Sequence, residues 1–275
     1  MKHLWTLLVV MSFTGCLGLN FVNKGGDSRQ SAGSRSYTEK SMQEYHDDGL
    51  WVSGPVNGKF IIIGVSGKYT KPADEIEAAK LDAARKAAMY HGIQGSFELI
   101  NTTGSRGYFD FSADTKLDLN YDNNYGNYTE RLSFNPETDV IRGNGATFVR
   151  FRYNISGSDF NHYPAKNSGR PSWVNNRNLP QFAGYTTAVG YAGKRLKLKD
   201  TISASYDSAA ARLIETASTQ MSTKEASASV NRSTSVYTTT HVRSEGRLMN
   251  FQVLEFWIDP ETGGVSSLAI ARVSK

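Results

Sequence analysis

The chain is poor in the residues that most often carry chemistry. Its 275 residues include a single cysteine, Cys16, which excludes an internal disulfide and a thiolate zinc cluster. The five histidines, His3, His46, His91, His162 and His241, are spaced too widely for two of them to share a helix or strand face as a zinc pair. Gly-x-Ser-x-Gly does not occur, so the strained turn that presents a hydrolase serine is missing. No apolar run reaches the roughly 20 residues that a membrane-spanning helix needs. Lys and Arg are scattered rather than interleaved with aromatics in one block, which speaks against nucleic acid as a partner. Two Gly-x-x-Gly-Lys segments, Gly64 to Lys68 and Gly190 to Lys194, invite a phosphate-binding reading, because glycines after a strand expose amides to an anion. Where a phosphate loop requires glycine and Ser/Thr, however, the chain has Ile62 and Tyr69, or Ala188 and Arg195. No catalytic residue, cofactor, metal or small-molecule substrate is therefore expected.

Against these absences the N-terminus is explicit. Lys2 and His3 precede the apolar stretch from Leu4 to Gly15, which ends at Cys16; a basic start with a short apolar core reads as a signal peptide. Phe13-Thr14-Gly15-Cys16 looks like a bacterial lipobox, with Phe where Leu is usual. Cys16 is thus the expected lipidation site, residues 1–15 the signal peptide, and membrane lipid the expected partner. Each buried methylene contributes about 0.8 kcal/mol, so two or three acyl chains would hold a protein stably on a bilayer. Cleavage removes Lys2 and leaves 30 Lys and Arg against 26 Asp and Glu, a mildly basic mature protein. Such a balance favours anionic lipids or other envelope polyanions.

Residues 16–49 are rich in Gly, Ser, Asn and Arg without an apolar period and read as a flexible tether. An internal repeat follows. Trp51-Val52 is echoed by Trp173-Val174 at a spacing of 122, and Gly64 to Lys68 by Gly190 to Lys194 at 126. Ala83-Ala84-Arg85 is echoed by Ala210-Ala211-Arg212 at 127, and Asn135-Pro136-Glu137-Thr138 by Asp259-Pro260-Glu261-Thr262 at 124. Two homologous units are expected, residues 50–157 and 171–275, joined by a linker over 158–170.

Within each unit the hydrophobic period changes. Phe60 to Ile63 and Thr186 to Val189 are short apolar or β-branched runs ending at glycine, expected as strands. Pro72 to His91 reads as a helix, with Pro72 at its first position, acids early, bases late and Gly92 as the stop. Its counterpart starts near Asp200 and carries Ile202, Tyr206, Ala210, Leu213, Ala217 and Met221 in one stripe. Period-two alternation follows from Phe109 to Leu119 and from Leu254 to Ile258, and the Asp259 to Gly264 turn leads into Val265 to Val273. The predicted class is α+β: two tandem homologous units, each an antiparallel sheet with one amphipathic helix packed on it. The first unit also carries a Tyr/Asn-rich insert from Tyr121 to Tyr128.

The lipobox, the Trp-Val pair, the strand ending Gly-x-x-Gly, the helix with Ala-Ala-Arg and the closing Leu268-Ala269-Ile270-Ala271-Arg272 together resemble the Helicobacter lipoprotein-twenty family. That resemblance implies an outer-membrane lipoprotein, often self-associating, with no catalytic residues to carry over. Leu17 after the cysteine, where Asp would mark inner-membrane retention, also implies the outer membrane. The expected role is a non-enzymatic structural or assembly component of the cell envelope, a homo-oligomer or partner of other envelope proteins, in a flagellum-associated or other ring or scaffold. A second reading makes the alternating stretches from Tyr108 to Tyr121 and from Ala226 to Val236 hairpins of an outer-membrane pore or secretion-linked assembly. A third, ranked below these, is an envelope-polymer-binding or hydrolytic protein.

Overall fold

A computed structural model describes residues 42–104, 112–155, 162, 169–175, 179–217, 219–230 and 233–274. The elements of the first half run α1 (Met42–Asp47), β1 (Leu50–Val52), β2 (Gly54–Val56), β3 (Lys59–Gly67), α2 (Pro72–His91), β4 (Ile93–Gly104), β5 (Ser112–Asn120), α3 (Gly126–Thr129), β6 (Leu132–Ser133), β7 (Val140–Gly143) and β8 (Ala146–Tyr153). After a 3₁₀ turn at Ser172–Asn175 come β9 (Thr186–Ala192), α4 (Leu198–Ala217), β10 (Thr219–Val230), β11 (Ser233–Ile258) and β12 (Val265–Ser274). The class is α+β, as the changing periods predict. One sheet runs β5-β4-β11-β12-β9, with β1 and β10 also paired to β11; the other runs β2-β3-β8-β6, with β7 on β8.

Helix α2 occupies the predicted residues because Pro72 suits the first turn and Gly92 leaves the helical region at its end. Its alanines at 79, 83, 84, 87 and 88 are buried against β3 and β8. Helix α4 buries Ile202, Tyr206, Ala209, Ala210, Leu213 and Ile214. It begins at Leu198, two residues before Asp200, and ends at Ala217. Met221, assigned to its stripe by spacing, lies instead in β10, paired with Val242; ladder hydrogen bonds to β11 override the three-four period there.

The two halves repeat specific contacts as well as elements. A Cβ built on Gly64 would lie 2.1 Å from the Ala79 carbonyl oxygen, and one on Gly190 would lie 2.2 Å from that of Ser205. The Val65 amide donates to Asp82 at 2.8 Å and the Tyr191 amide to Ser208 at 3.2 Å. The Tyr69 amide donates to Glu75 at 3.4 Å and the Arg195 amide to Thr201 at 3.0 Å. In every case the second contact comes 126 residues after the first. Ala83 and Ala84 therefore correspond to Ala209 and Ala210, and the Ala-Ala-Arg match at 127 is one residue out of step: Lys86, not Arg85, answers Arg212. The turn echo at 124 holds in detail, since the Glu137 amide donates to Asn135 and the Glu261 amide to Asp259. Trp51 and Trp173 do not mark one structure, for the first sits in β1 and the second in the 3₁₀ turn.

The first half has a sheet of its own, β2-β3-β8-β6 with β7, but it also lends β1, β4 and β5 to the sheet of the second half. The β4-β5 hairpin leaves the first half and pairs with β11 of the second, Ile93 opposite Leu248, and residues Glu39–Lys275 form one compact unit. Folded structure also reaches into both segments expected to be loose. Met42 and Tyr45, one helical turn apart, bury themselves in the core that holds Trp51, so the expected tether ends before residue 49. In the expected linker His162 is buried, its amide donating to the Pro55 carbonyl and its Nε2 lying 2.7 Å from Glu255.

The two glycine contacts leave no room for a methyl group. Gly64→Ala and Gly190→Ala should each lose about 1–3 kcal/mol in urea unfolding, the cost of overpacking a close helix-strand approach. Gly193→Ala, with nothing within 4 Å of its Cβ position, should stay within about 0.5 kcal/mol of the parent.

Candidate functional site

Three described groups of residues stand out: a projecting ribbon, a cleft at its base, and buried carboxylates. The ribbon is built from two hairpins lying side by side. Along β11, residues Ser233 to Ser244 pair with β10, while Tyr237 to Leu248 pair with β4 on the opposite edge. Strand β5 lines the far side of β4, from Asn120 opposite Gln94 to Ser112 opposite Thr102. The order β5-β4-β11-β10 is antiparallel throughout, and among the described residues no strand pairs with the outer edge of β5 or of β10. Helix α4 covers the base, Ile214 lying over Gly95 and Ala217 over Gly246. From Gly95 to Gly104 the ribbon continues for roughly 30 Å at about 3.4 Å per residue.

Its two faces differ in chemistry. The period of two puts Ile93, Phe97, Leu99, Leu117, Leu119, Val242 and Leu248 on the α4 side, and these are buried or half-buried. The other side holds Gln94, Glu98, Lys116, Asp118, Arg243, Glu245 and Arg247. There His241 pairs with Glu98 across the ladder, and Arg243 with Glu245. Phe109 and Phe111 lie outside the described residues, as do Cys16 and His3.

On the charged side the ribbon base meets the end of α2 and the Tyr/Asn-rich insert in a cleft of about 1040 Å³, lined among others by His91, Asp118, Asp122, Glu245 and Arg247. The insert is held by its own hydrogen bonds. Asp122 accepts from the Asn124 amide at 2.9 Å and from the Tyr128 hydroxyl at 2.8 Å, and the Tyr121 hydroxyl accepts from Arg85 Nε at 2.8 Å. Arg85 also donates to Ser203 and Asp207 of α4, each at 2.7 Å, so one guanidinium joins both helices to the insert. Burial is the largest single influence and works against its charge, but Asp207, Tyr121 and Asp82 together outweigh it and hold the group more firmly protonated than usual. Next to it Lys86 is buried, its Nζ 2.6 Å from Asp82 and donating to the Ile63 carbonyl at 2.6 Å, over the Tyr206 ring at 4.6 Å. Burial pulls its pKa below the ordinary lysine value.

The buried carboxylates are saturated by donors from this chain. Glu75 accepts from Thr147 at 2.7 Å, from Arg142 at 2.9 Å and from the Tyr69 amide, with Lys68 at 3.7 Å. The place near the start of α2 where a phosphate reading would put its anion is thus occupied by Glu75, and Lys68 is spent on it. Asp139 takes Arg150 and Arg152 at 3.1 and 2.8 Å, and Glu255 takes His162 and Trp173 Nε1, both at 2.7 Å. These are struts between elements, and the one hydroxyl named among their donors, that of Thr147, is itself buried and donates to Glu75. The remaining described histidines also have structural neighbours: His46 packs edge-on to Trp51, and His91 Nε2 lies 2.7 Å from the Tyr153 hydroxyl. Among the described residues no cluster of three His, Cys, Asp or Glu could hold a metal ion.

Sequence spacing missed strand β4, whose run from Ile93 to Gly104 mixes Gly, Asn and Thr with apolar residues. It placed Glu75 only at the helix dipole, whereas the side chain is buried. The four-residue spacing of Asp82 and Lys86 was a readable signal for that pair; the Glu255, His162 and Trp173 cluster left none, since its members are 93 and 82 residues apart.

No family model, no curated protein and no solved structure matches this chain. Among the described residues no helix is long and apolar enough to cross a membrane, a statement that does not bear on strands.

Glu75 yields a pH prediction. The Thr147 hydrogen bond, with help from Arg142 and against the cost of burial, lowers its pKa from 4.5 to about 2. A depressed carboxylate pKa adds stability that is complete above the unfolded value and is lost as pH falls through the folded one. Urea midpoints should therefore drop between pH 4.5 and about 2, and Glu75→Gln should flatten that part of the profile while lowering stability at pH 7.

Proposed function

We propose that this protein is a non-enzymatic lipoprotein of the bacterial outer membrane, anchored through acylated Cys16, that assembles with copies of itself in the cell envelope. The observation that carries this reading is the ribbon, neither of whose two outer edges is paired by another strand among the described residues. Exposed strand edges are templates for pairing with another chain unless they are short, kinked or covered. With four strands in the ribbon, β10 of one copy meets β5 of the next in antiparallel sense, so a head-to-tail repeat continues the ladder without a parallel joint. Heterologous contacts of that kind close into rings or extend as filaments. The lipobox, Leu17 and the resemblance to the lipoprotein-twenty family supply the address. The contacts repeated at 126 residues favour descent of the two halves from one duplicated unit. Saturation of the buried carboxylates favours a structural role over a catalytic one.

A second reading, a subunit of an outer-membrane pore or secretion-linked assembly, is favoured by the two-faced chemistry of the ribbon. A barrel strand crosses the bilayer with about 9 to 11 alternating residues, apolar towards lipid and polar towards the lumen. Strands β4 and β10, at 12 residues each, have that length, and the described part of the ribbon has that alternation.

Cysteine pairs placed on the two edges test the assembly. With one cysteine at Lys116 or Asp118 and one at Gln220 or Ser222, a short bismaleimide should give a ladder of linked multimers from outer membranes. Either cysteine alone should give no ladder, and a strictly monomeric result from the paired series would sink the proposal. Conductance in planar bilayers separates the readings: stepwise channels favour the pore, and linked multimers without conductance favour the scaffold.

A further inference from the structure

We propose that the two strand-helix loops at the end of the molecule opposite the ribbon form a docking face for an anionic phospholipid surface. Ala192, Val265 and Ile258 share one transverse row of the sheet, at the end of β11 farthest from Ser233. The loop from Gly193 to Lys199 begins at that row. Its seven residues read Gly-Lys-Arg-Leu-Lys-Leu-Lys, four cations and no acid. The equivalent loop of the first half, Gly67 to Lys71, is its neighbour: a Cβ built on Gly67 would lie 3.9 Å from Lys199 Cδ. The fold thus brings together cations that lie about 125 residues apart in sequence.

Three apolar side chains project from this basic end. Leu196 is 98 % exposed, Tyr191 60 % and Tyr69 47 %. A leucine with almost no protein contact has no packing role in the chain itself, and its neighbours Lys194, Lys197 and Lys199 make no ion pair among the described residues. The acids nearby are Glu75, which is consumed by its four donors, Asp74 and Asp200 in the first turns of the two helices, and Asp259 and Glu261 in the turn beside Lys194; the Asp259 carboxylate accepts the amides of its own turn. A bilayer surface matches this pattern without a shaped pocket. Leucine enters the acyl boundary, tyrosine rests at headgroup level and lysine stays on the phosphates. Each cation near an anionic leaflet strengthens binding by about fivefold. The proposal is independent of the ribbon reading, because the loops face away from whatever the hairpins enter.

The test uses the full chain carrying Cys16→Ala, which removes the acyl anchor, and vesicles of phosphatidylcholine with or without phosphatidylglycerol. Binding should be at least tenfold tighter to the phosphatidylglycerol vesicles and should weaken with salt. Combined Leu196→Ser, Lys194→Gln and Lys197→Gln should lose at least tenfold of it with an unchanged unfolding curve, since all three side chains are exposed. In a separate Leu196→Trp variant, the difference in emission from the parent should shift to the blue with these vesicles and not with inorganic phosphate or soluble polyglutamate. Equal binding by the loop variant, or no preference for the anionic lipid, would overturn the proposal. A blue shift with polyglutamate but not with vesicles would overturn it in favour of an acidic protein partner. Insertion by the ribbon is distinguishable, because it would persist in the loop variant.

Discussion

Strand β11 is the constraint around which the molecule is arranged. A strand of 26 residues offers twice that number of backbone polar groups, and none can be left dry and unpaired. Four partners satisfy them in stages: β10 and then β12 along one edge, β4 and then β1 along the other. The lower stage lies under α4 and holds the most deeply buried side chains, Leu248, Leu254 and Phe256. The upper stage is the ribbon. Register shifts against β12 near Gln252, with Asn250 in the left-handed region, mark where the strand bends inside the core. Because one continuous backbone runs through both stages, the ribbon is held at a defined angle to the core.

The same strand explains why the halves do not fold as separate domains. Helix α2 lies on one sheet and α4 on the other, yet the hairpin that follows α2 pairs with β11. Arg85 and Lys86, adjacent on α2, secure the junction by different means. Arg85 reaches across to Asp207 and Ser203, while Lys86 caps a β3 carbonyl and lies against Tyr206. Breaking a buried ion pair leaves an uncompensated charge behind, so these contacts make the relative placement of the two helices specific. In the second half the corresponding positions are Ala211 and an exposed Arg212, which shows how a repeated frame can carry unequal chemistry.

The molecule is therefore polar in the geometric sense. Among the described residues, strand edges that no other strand pairs with and an amphipathic ribbon occupy one end of the sheet, and the basic loops with projecting leucine and tyrosine lie at the other. The Tyr/Asn-rich insert belongs to neither end. It packs across the end of α2 and walls a cleft, where Tyr121 gives Arg85 its third partner.

How much of this was legible depended on whether the information was local. The bounds of α2, the presence of strands at Phe60 to Ile63 and Thr186 to Val189, the Asp259 turn into β12 and the α+β class could be read because propensity, period and turn chemistry act over a few residues; that both strands run on through Gly64 and Gly190 to Gly67 and Ala192 could not. The lipobox expected at Cys16 rests on an equally local signal and lies outside the described residues. Registry between distant segments has no local signal. Nothing in the run from Ile93 to Gly104 says that it will pair with residues 133 to 155 positions later, or that His162 and Trp173 will meet Glu255. The loops from Gly67 to Lys71 and from Gly193 to Lys199 lie about 126 residues apart in sequence, and that they are neighbours was decided by the fold. The sequence by itself determined which segments would be helix, strand and turn, because backbone and neighbouring side chains decide that. Only the tertiary structure decided which strands share a sheet and which side chains share a site, because those depend on pairing backbone groups and burying surface between residues far apart in the chain.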